Sequence, residues 1–281
     1  MSGQDYQAWQ HQHWAESAGD WEKWAEIVAP QAEGFNRPLI EAAGIATGHR
    51  VLDMACGAGE PSLTAAETVG PSGHVTASDY APEMVAVTER RAKAKGVANM
   101  AFQRADMADL PFDDGGFDAV ICRFGFMYTD APDKCAAEVL RVLKPGGRVA
   151  LMVWGPKPSN TVLSVAMDAG NAVVKMMDEE AAAHSSIYAE PGSMTGFFEA
   201  AGFAEVKESD LQFKPSIPAN LKFWTPIVGM NLGAAMQGMS KDEVQAVDDA
   251  IAAAYAPYIE DGKYRLSAHV RILSAAKPTS S

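Results

Sequence analysis

The chain has 281 residues, 48% of them hydrophobic and 21% charged, which suits one large α/β domain or one domain with a generous insertion. Its formal net charge of −13 repels phosphate backbones and anionic membrane surfaces, so neither is an expected partner. Three cysteines (Cys56, Cys122, Cys135) without a Cys-x-x-Cys spacing argue against a disulfide framework and for a reducing compartment, read as the cytoplasm.

In chain order, the opening residues carry neither the basic nor the apolar region of a secretion signal, and no apolar stretch suits a membrane span. Residues 5–29 carry one helical face, with Trp14, Ala18, Trp21, Ala25 and Val28 at i, i+4, i+7, i+11 and i+14. Gly19-Asp20 is expected to break that helix in two, and a further short helix is expected over 39–43. Strands are then predicted over 50–54, 74–78, 100–104, 117–122 and 148–154, with helices over 61–69, 82–95 and 133–143. Such alternation predicts a parallel sheet covered on both faces. Beyond it, 156–190 reads as a Met- and Ala-rich helical excursion. Met194, Phe197, Phe198 and Ala201 form another helical face, and 205–213 reads as a strand. Residues 218–258 read as mostly helical, with the capping box Ser240-Lys-Asp-Glu243, and 264–275 as the last strand.

The chemistry starts at Val51-Leu-Asp-Met-Ala-Cys-Gly-Ala-Gly59, a strand running through Asp53 into a glycine loop and a helix. Glycine lets backbone approach a ligand closely and adopt positive φ. Alone, the loop also fits a dinucleotide site or a plain tight turn; the dinucleotide pattern's third glycine falls at Ser62 and fits poorly. Asp79 ends the second strand, 22 residues after Gly57. Its two oxygens can accept both hydroxyls of a ribose, or cap the following helix. Asp106, after the third strand, can accept an adenine amine, with Met107 and Leu110 as apolar cover; the alternative is a solvated acidic loop.

Taken together, the glycine loop, Asp79, Ala105-Asp-Met-Ala-Asp-Leu-Pro-Phe112 and Leu143-Lys-Pro-Gly-Gly-Arg148 resemble a class I SAM-dependent methyltransferase. Within that class the chain is similar to the ubiquinone/menaquinone-biosynthesis C-methyltransferases, with Cys122-Arg-Phe-Gly-Phe-Met-Tyr-Thr-Asp130 matching their segment after the fourth strand. The likeness spans roughly residues 50–155; Ala55 departs from it, standing where the pattern usually has its first glycine. It implies a doubly wound, Rossmann-like seven-stranded sheet, mainly parallel with an antiparallel last strand. It implies S-adenosylmethionine as cofactor and S-adenosylhomocysteine as product. Asp53 would organise the loop and reach the methionine amine, with Ala55, Gly57 and Gly59 packed along the cofactor. Asp79 would hold the ribose with Tyr80 beside the adenine, which Asp106 and Met107 would read. Arg123 would lie near the methionine moiety or the substrate, or make a surface ion pair.

Methyl transfer is an in-line displacement that needs positioning and dryness more than protein chemistry. A phenol or carbon acceptor benefits from a base, for which His13, Tyr128 and His184 are the foremost candidates beside His11 and Asp130. His11-Gln-His13 has a metal-like spacing but no third ligand, so no metal is expected. Tyr6, Trp9, Trp14, Trp21 and Trp24 load the N-terminus with aromatic surface, which either closes over the site or packs on the sheet. Trp9, Trp21, Phe126 and Tyr128 are candidates to line the substrate site. Met167, Met176, Met177, Met230, Met236 and Met239 suit an adaptable pocket or a helical core. The expected division is a helical lid (1–48), a cofactor-binding core (49–155), and a part completing the sheet with cap insertions (156–281). The expected activity is methyl transfer to a small molecule through O, N, S or C. A SAM-binding enzyme without transfer and an NAD-dependent oxidoreductase are the rivals; a homo-oligomer stays open.

Overall fold

The computed structural model describes residues 3–176 and 186–279, with side chains from Ala8 onward. A single helix, α1 (Gly3–Ala42), precedes the sheet. Then follow β1 (Arg50–Met54), α2 (Ser62–Val69), β2 (His74–Asp79), α3 (Pro82–Ala94), β3 (Met100–Arg104) and β4 (Phe117–Arg123). The alternation closes with α4 (Pro132–Val142) and β5 (Leu143–Trp154). The cap region contributes α5 (Thr161–Val174), α6 (Thr195–Ala201), β6 (Ala204–Phe213) and β7 (Ser216–Pro218). It ends with α7 (Trp224–Leu232), α8 (Lys241–Tyr255), β8 (Ile259–Glu260), β9 (Lys263–Arg265) and β10 (Ala268–Ala276).

Seven strands form one sheet in the order β3-β2-β1-β4-β5-β10-β6. The β1–β2, β2–β3, β1–β4 and β4–β5 pairs are parallel, while β10 runs antiparallel to both neighbours, as the resemblance implied. The apolar runs of β1, β4 and β5 are buried on both faces, which is why they read as continuous rather than alternating. Strand order reverses between β1 and β4, and ligands of open α/β sheets bind outside the carboxyl ends at such a point.

Two expectations are corrected. The N-terminal helix does not break at Gly19-Asp20 but continues through Pro30 and Pro38. Packing overrides local propensity here: Leu39 and Ile40 are buried against the sheet, while Ala18, Ala25, Trp14 and Trp21 cover Ala58, Ala81, Met84 and Val87. Further along α1, the Trp24 indole lies against Gly229 of α7, where any Cβ would overlap it. The last strand is also two strands. β9 belongs to a small three-stranded sheet, β7-β9-β8, and β10 alone completes the large one. The capping box is present, with Ser240 and Glu243 answering each other's backbone N–H groups.

Helices α5, α7 and α8 pack together around Ala166, Trp224, Leu232, Ile251 and Tyr255. They form a cap beside the carboxyl ends of β4 and β5. No helix among the described residues is long and apolar enough to cross a membrane.

Candidate functional site

The glycine loop joins β1 to α2 through residues of positive φ: Ala55 (56°), Gly57 (52°) and Gly59 (100°). The left-handed backbone at Ala55 explains why glycine suits that position, and an L-residue there costs about 1 kcal/mol or more. Its methyl group fits because Gly125 lies opposite; a Cβ there would overlap that of Ala55. Gly57 faces open space, with nothing within 4 Å of where a Cβ would stand. At Gly57 the loop therefore presents a bare backbone cradle.

Asp79 stands across this cradle. Its Oδ2 accepts the Gly57 N–H at 2.9 Å and its Oδ1 the Ala81 N–H at 3.0 Å. Helix α3 is capped by Ala81 itself, so Asp79 is not the cap that the alternative reading required. Burial outweighs these bonds and pushes its carboxyl up to about 6. Asp53 is fully buried: Oδ2 accepts the Ser62 hydroxyl, Oδ1 has no partner, and burial raises the carboxyl to about 7. Tyr80 is held between the His11 ring, stacked at 3.6 Å, and the Arg104 guanidinium at 5.0 Å. Asp106 is exposed and accepts the Ala108 N–H, while Met107 packs half-buried against the core.

Arg123, at the end of β4, turns inward rather than forming a surface ion pair. Its Nη1 donates to Asn36 Oδ1 at 3.0 Å and its Nε has no partner. Asn36 in turn donates to Glu60 Oε2 at 2.7 Å and Thr64 Oγ1 at 2.9 Å. This buried polar chain links α1, the glycine loop, α2 and β4.

Trp14, which packs in the cluster around Ala58 of the loop, also lines a cavity of about 140 Å³ between α1, the segment after β4, the end of β5 and the cap. One wall is aromatic, from Trp9, His13, Trp14, Tyr128 and Trp154. The other is polar, including Asn160, Ser164, Asn171 and Asn231. Gln10 also lines it; this side chain is 2% exposed and its Nε2 has no partner. His13 lies parallel to Trp9 at 5.1 Å, and burial lowers its pKa against the weaker pull of Glu16. Trp14 meets Tyr128 edge-on at 5.3 Å.

Of the candidates named from sequence, Trp9, His13 and Tyr128 therefore come together on one wall. Trp21 packs against Trp14 over the glycine loop, outside this lining. Phe126 is fully buried beside Tyr188 and Phe198, also outside it. Met167 and Met176 line the cavity, while Met236 and Met239 join the cap core. His184 and Met177 lie outside the described residues, as does the Tyr6 side chain. Gln10 was missed from sequence, although its position one turn before His13 places both on one helical face.

A methyltransferase-domain family model matches residues 51–147. A ubiquinone/menaquinone biosynthesis C-methyltransferase from Cellvibrio japonicus is 36% identical over 185 residues, 62% of this chain and 74% of that protein. The chain belongs to the SAM-dependent methyltransferase family. The C-methyltransferase of the same name from Pseudomonas paraeruginosa is 40% identical over 136 residues, 48% of this chain. The chain spans about half the length, 53%, of that relative. Among solved structures, geranyl diphosphate C-methyltransferase from Streptomyces coelicolor A3(2) matches with a TM-score of 0.52 and 19% identity. That match covers 90% of this methyltransferase-family chain and 80% of the other. The [4+2]-cyclase SpnF matches at 0.55 and 23%, covering 88% and 80%. At these identities the two structures speak for the shared fold alone.

Proposed function

We propose that this chain binds S-adenosylmethionine over the glycine loop and passes its methyl group to a small molecule held in the adjoining cavity. The observation that carries the reading is the adjacency of three features at one sheet edge: a bare backbone cradle, a carboxylate across it, and an aromatic cavity. The residues present fit the cofactor. Asp79 offers acceptor oxygens for the ribose hydroxyls, Gly57 leaves room beside them, and the unpartnered Asp53 Oδ1 suits the methionine amine. Tyr80, Asp106 and Met107 flank the space for adenine, and Ala55 and Gly59 shape the loop.

The bound cofactor supplies an electrophilic sulfonium methyl group. The chain's own task is to exclude water and aim the acceptor. Trp9, Trp14, Tyr128 and Trp154 provide flat apolar walls for that purpose. His13, kept neutral by burial, accepts a proton from an acceptor that must lose one. Within residues 1–48, the amino half of α1 acts as a lid on the 49–155 core, since Trp14 and Trp21 cover the loop at Ala58, while Leu39 and Ile40 pack into the sheet core. Residues 156–281 complete the sheet and supply the cap. The three buried free cysteines and the net charge of −13 support a cytoplasmic setting and no nucleic-acid partner.

Incubation with S-adenosylmethionine and a panel of small-molecule acceptors tests the reading. It predicts release of S-adenosylhomocysteine together with a product heavier by one methylene. Tight cofactor binding without release across the panel would favour a non-transferring enzyme of this fold.

A further inference from the structure

Of the buried side-chain polar atoms that lack a partner among the described residues, one lines the cavity: Nε2 of Gln10, on a side chain 2% exposed. A buried donor left unanswered costs stability, and a ligand atom that accepts from it recovers that cost. Two amides of the opposite wall are engaged elsewhere. Asn160 Oδ1 accepts the His269 N–H at 2.7 Å and its Nδ2 donates to the Gly155 carbonyl at 3.0 Å. Asn231 Nδ2 donates to the Ile227 carbonyl at 2.8 Å. Gln10 lies outside residues 51–147, so the match to the methyltransferase domain does not account for it.

Shape, size and charge of the lining narrow what Gln10 can meet. Gln10 precedes His13 and Trp14 by three and four residues on α1, so donor, imidazole and indole share one helical face. Trp9, Tyr128 and Trp154 add flat apolar surface, which suits a planar ring. The volume of about 140 Å³ is that of one ring, since an apolar cavity of roughly 150 Å³ takes up benzene. Lys157 and Asp168, both exposed, pair with each other at 2.7 Å, and burial keeps His13 neutral. An ionised substrate therefore finds no free counter-charge among the described residues of the lining.

We propose that the cavity holds an uncharged, single-ring aromatic substrate, and that Gln10 selects it by donating its Nε2–H to an oxygen on the ring. Phenol is the simplest compound of this class. The inference rests on the reading of the cavity as the substrate site and adds the class of substrate and the residue that selects it.

NMR titration of the full chain, first with S-adenosylhomocysteine and then with small aromatic probes, tests this. Loaded wild type should bind phenol about threefold or more tightly than toluene, which is of nearly equal size, although apolar burial alone favours toluene. Benzoate, which is charged, and 2-naphthol, which has two rings, bind about tenfold or more weakly than phenol. Gln10→Met keeps the length of the side chain and removes the donor. It weakens phenol about tenfold, the worth of one hydrogen bond, and leaves toluene equal or tighter. Its affinity for S-adenosylhomocysteine stays within about twofold of wild type.

Toluene bound by wild type as tightly as phenol, or phenol unaffected by Gln10→Met, would overturn the proposal, as would benzoate or 2-naphthol matching phenol. If Gln10→Met fails to fold, the comparison of probes on wild type still decides. A wild type that does not bind S-adenosylhomocysteine overturns the cofactor reading and this proposal with it. One that binds it but prefers toluene overturns the proposal alone.

Discussion

At the scale of single residues, two carboxyls at the site sit far from their ordinary range. Asp79 is raised to about 6 and Asp53 to about 7, in both cases chiefly by burial. Both folded values lie above the unfolded ones, so the stability these groups add is full at low pH and lost as pH rises through 6 to 7. Cofactor hydroxyl and ammonium groups call for the ionised forms, so ligand affinity runs the opposite way. Affinity for S-adenosylhomocysteine should climb between about pH 5 and 7.5, with protons released on binding near pH 6.5. Calorimetry in buffers of different ionisation enthalpy measures both; a flat profile with no proton release would contradict these assignments. These two acids were legible in the sequence because each stands at or next to the carboxyl end of a strand at the expected spacing. The inward turn of Arg123 was not, since its partner Asn36 lies 87 residues earlier on a helix. Gln10, Asn160 and Asn231 come from separate segments and meet only in the fold.

Among the elements, α1 is the one whose reading changed most. Local propensity places a break at Gly19, yet the helix continues because its faces are held by α3, α7 and the sheet. Gly19 is exposed and has nothing within 4 Å of where a Cβ would stand. Gly19→Ala should therefore stabilise the protein by about 1 kcal/mol, as in any exposed helix interior. A lowered unfolding midpoint in thermal denaturation would argue for a break at this point. Strands β1 to β4 were read almost to the residue, because parallel strands set off by glycine and proline stand out as short apolar runs. In contrast β5, expected over 148–154, starts at Leu143 and runs through the Lys144-Pro-Gly-Gly147 turn signal. The small sheet of β7, β8 and β9 escaped for the opposite reason: strands of two or three residues are too short to show a period.

For the molecule as a whole, α1 divides its service. Its carboxyl half, through Leu39 and Ile40, belongs to the core under the sheet, while its amino half covers the glycine loop and walls the cavity. Removing residues 1–24 should leave a cooperative unfolding transition and weaken S-adenosylhomocysteine about tenfold or more. Unchanged affinity would show that the amino half is packing and not a lid. Family and fold were legible at this scale from the β/α alternation and its motifs together, while the aromatic cavity depends on cap helices with no shared pattern. The most direct test of the central claim is the affinity of wild type and Asp79→Ala for S-adenosylhomocysteine, with NAD as control. The account predicts one site on wild type, a loss of about tenfold or more in the variant as a ribose acceptor disappears, and no binding of NAD. Equal affinity in the two proteins, or a preference for NAD, would contradict it.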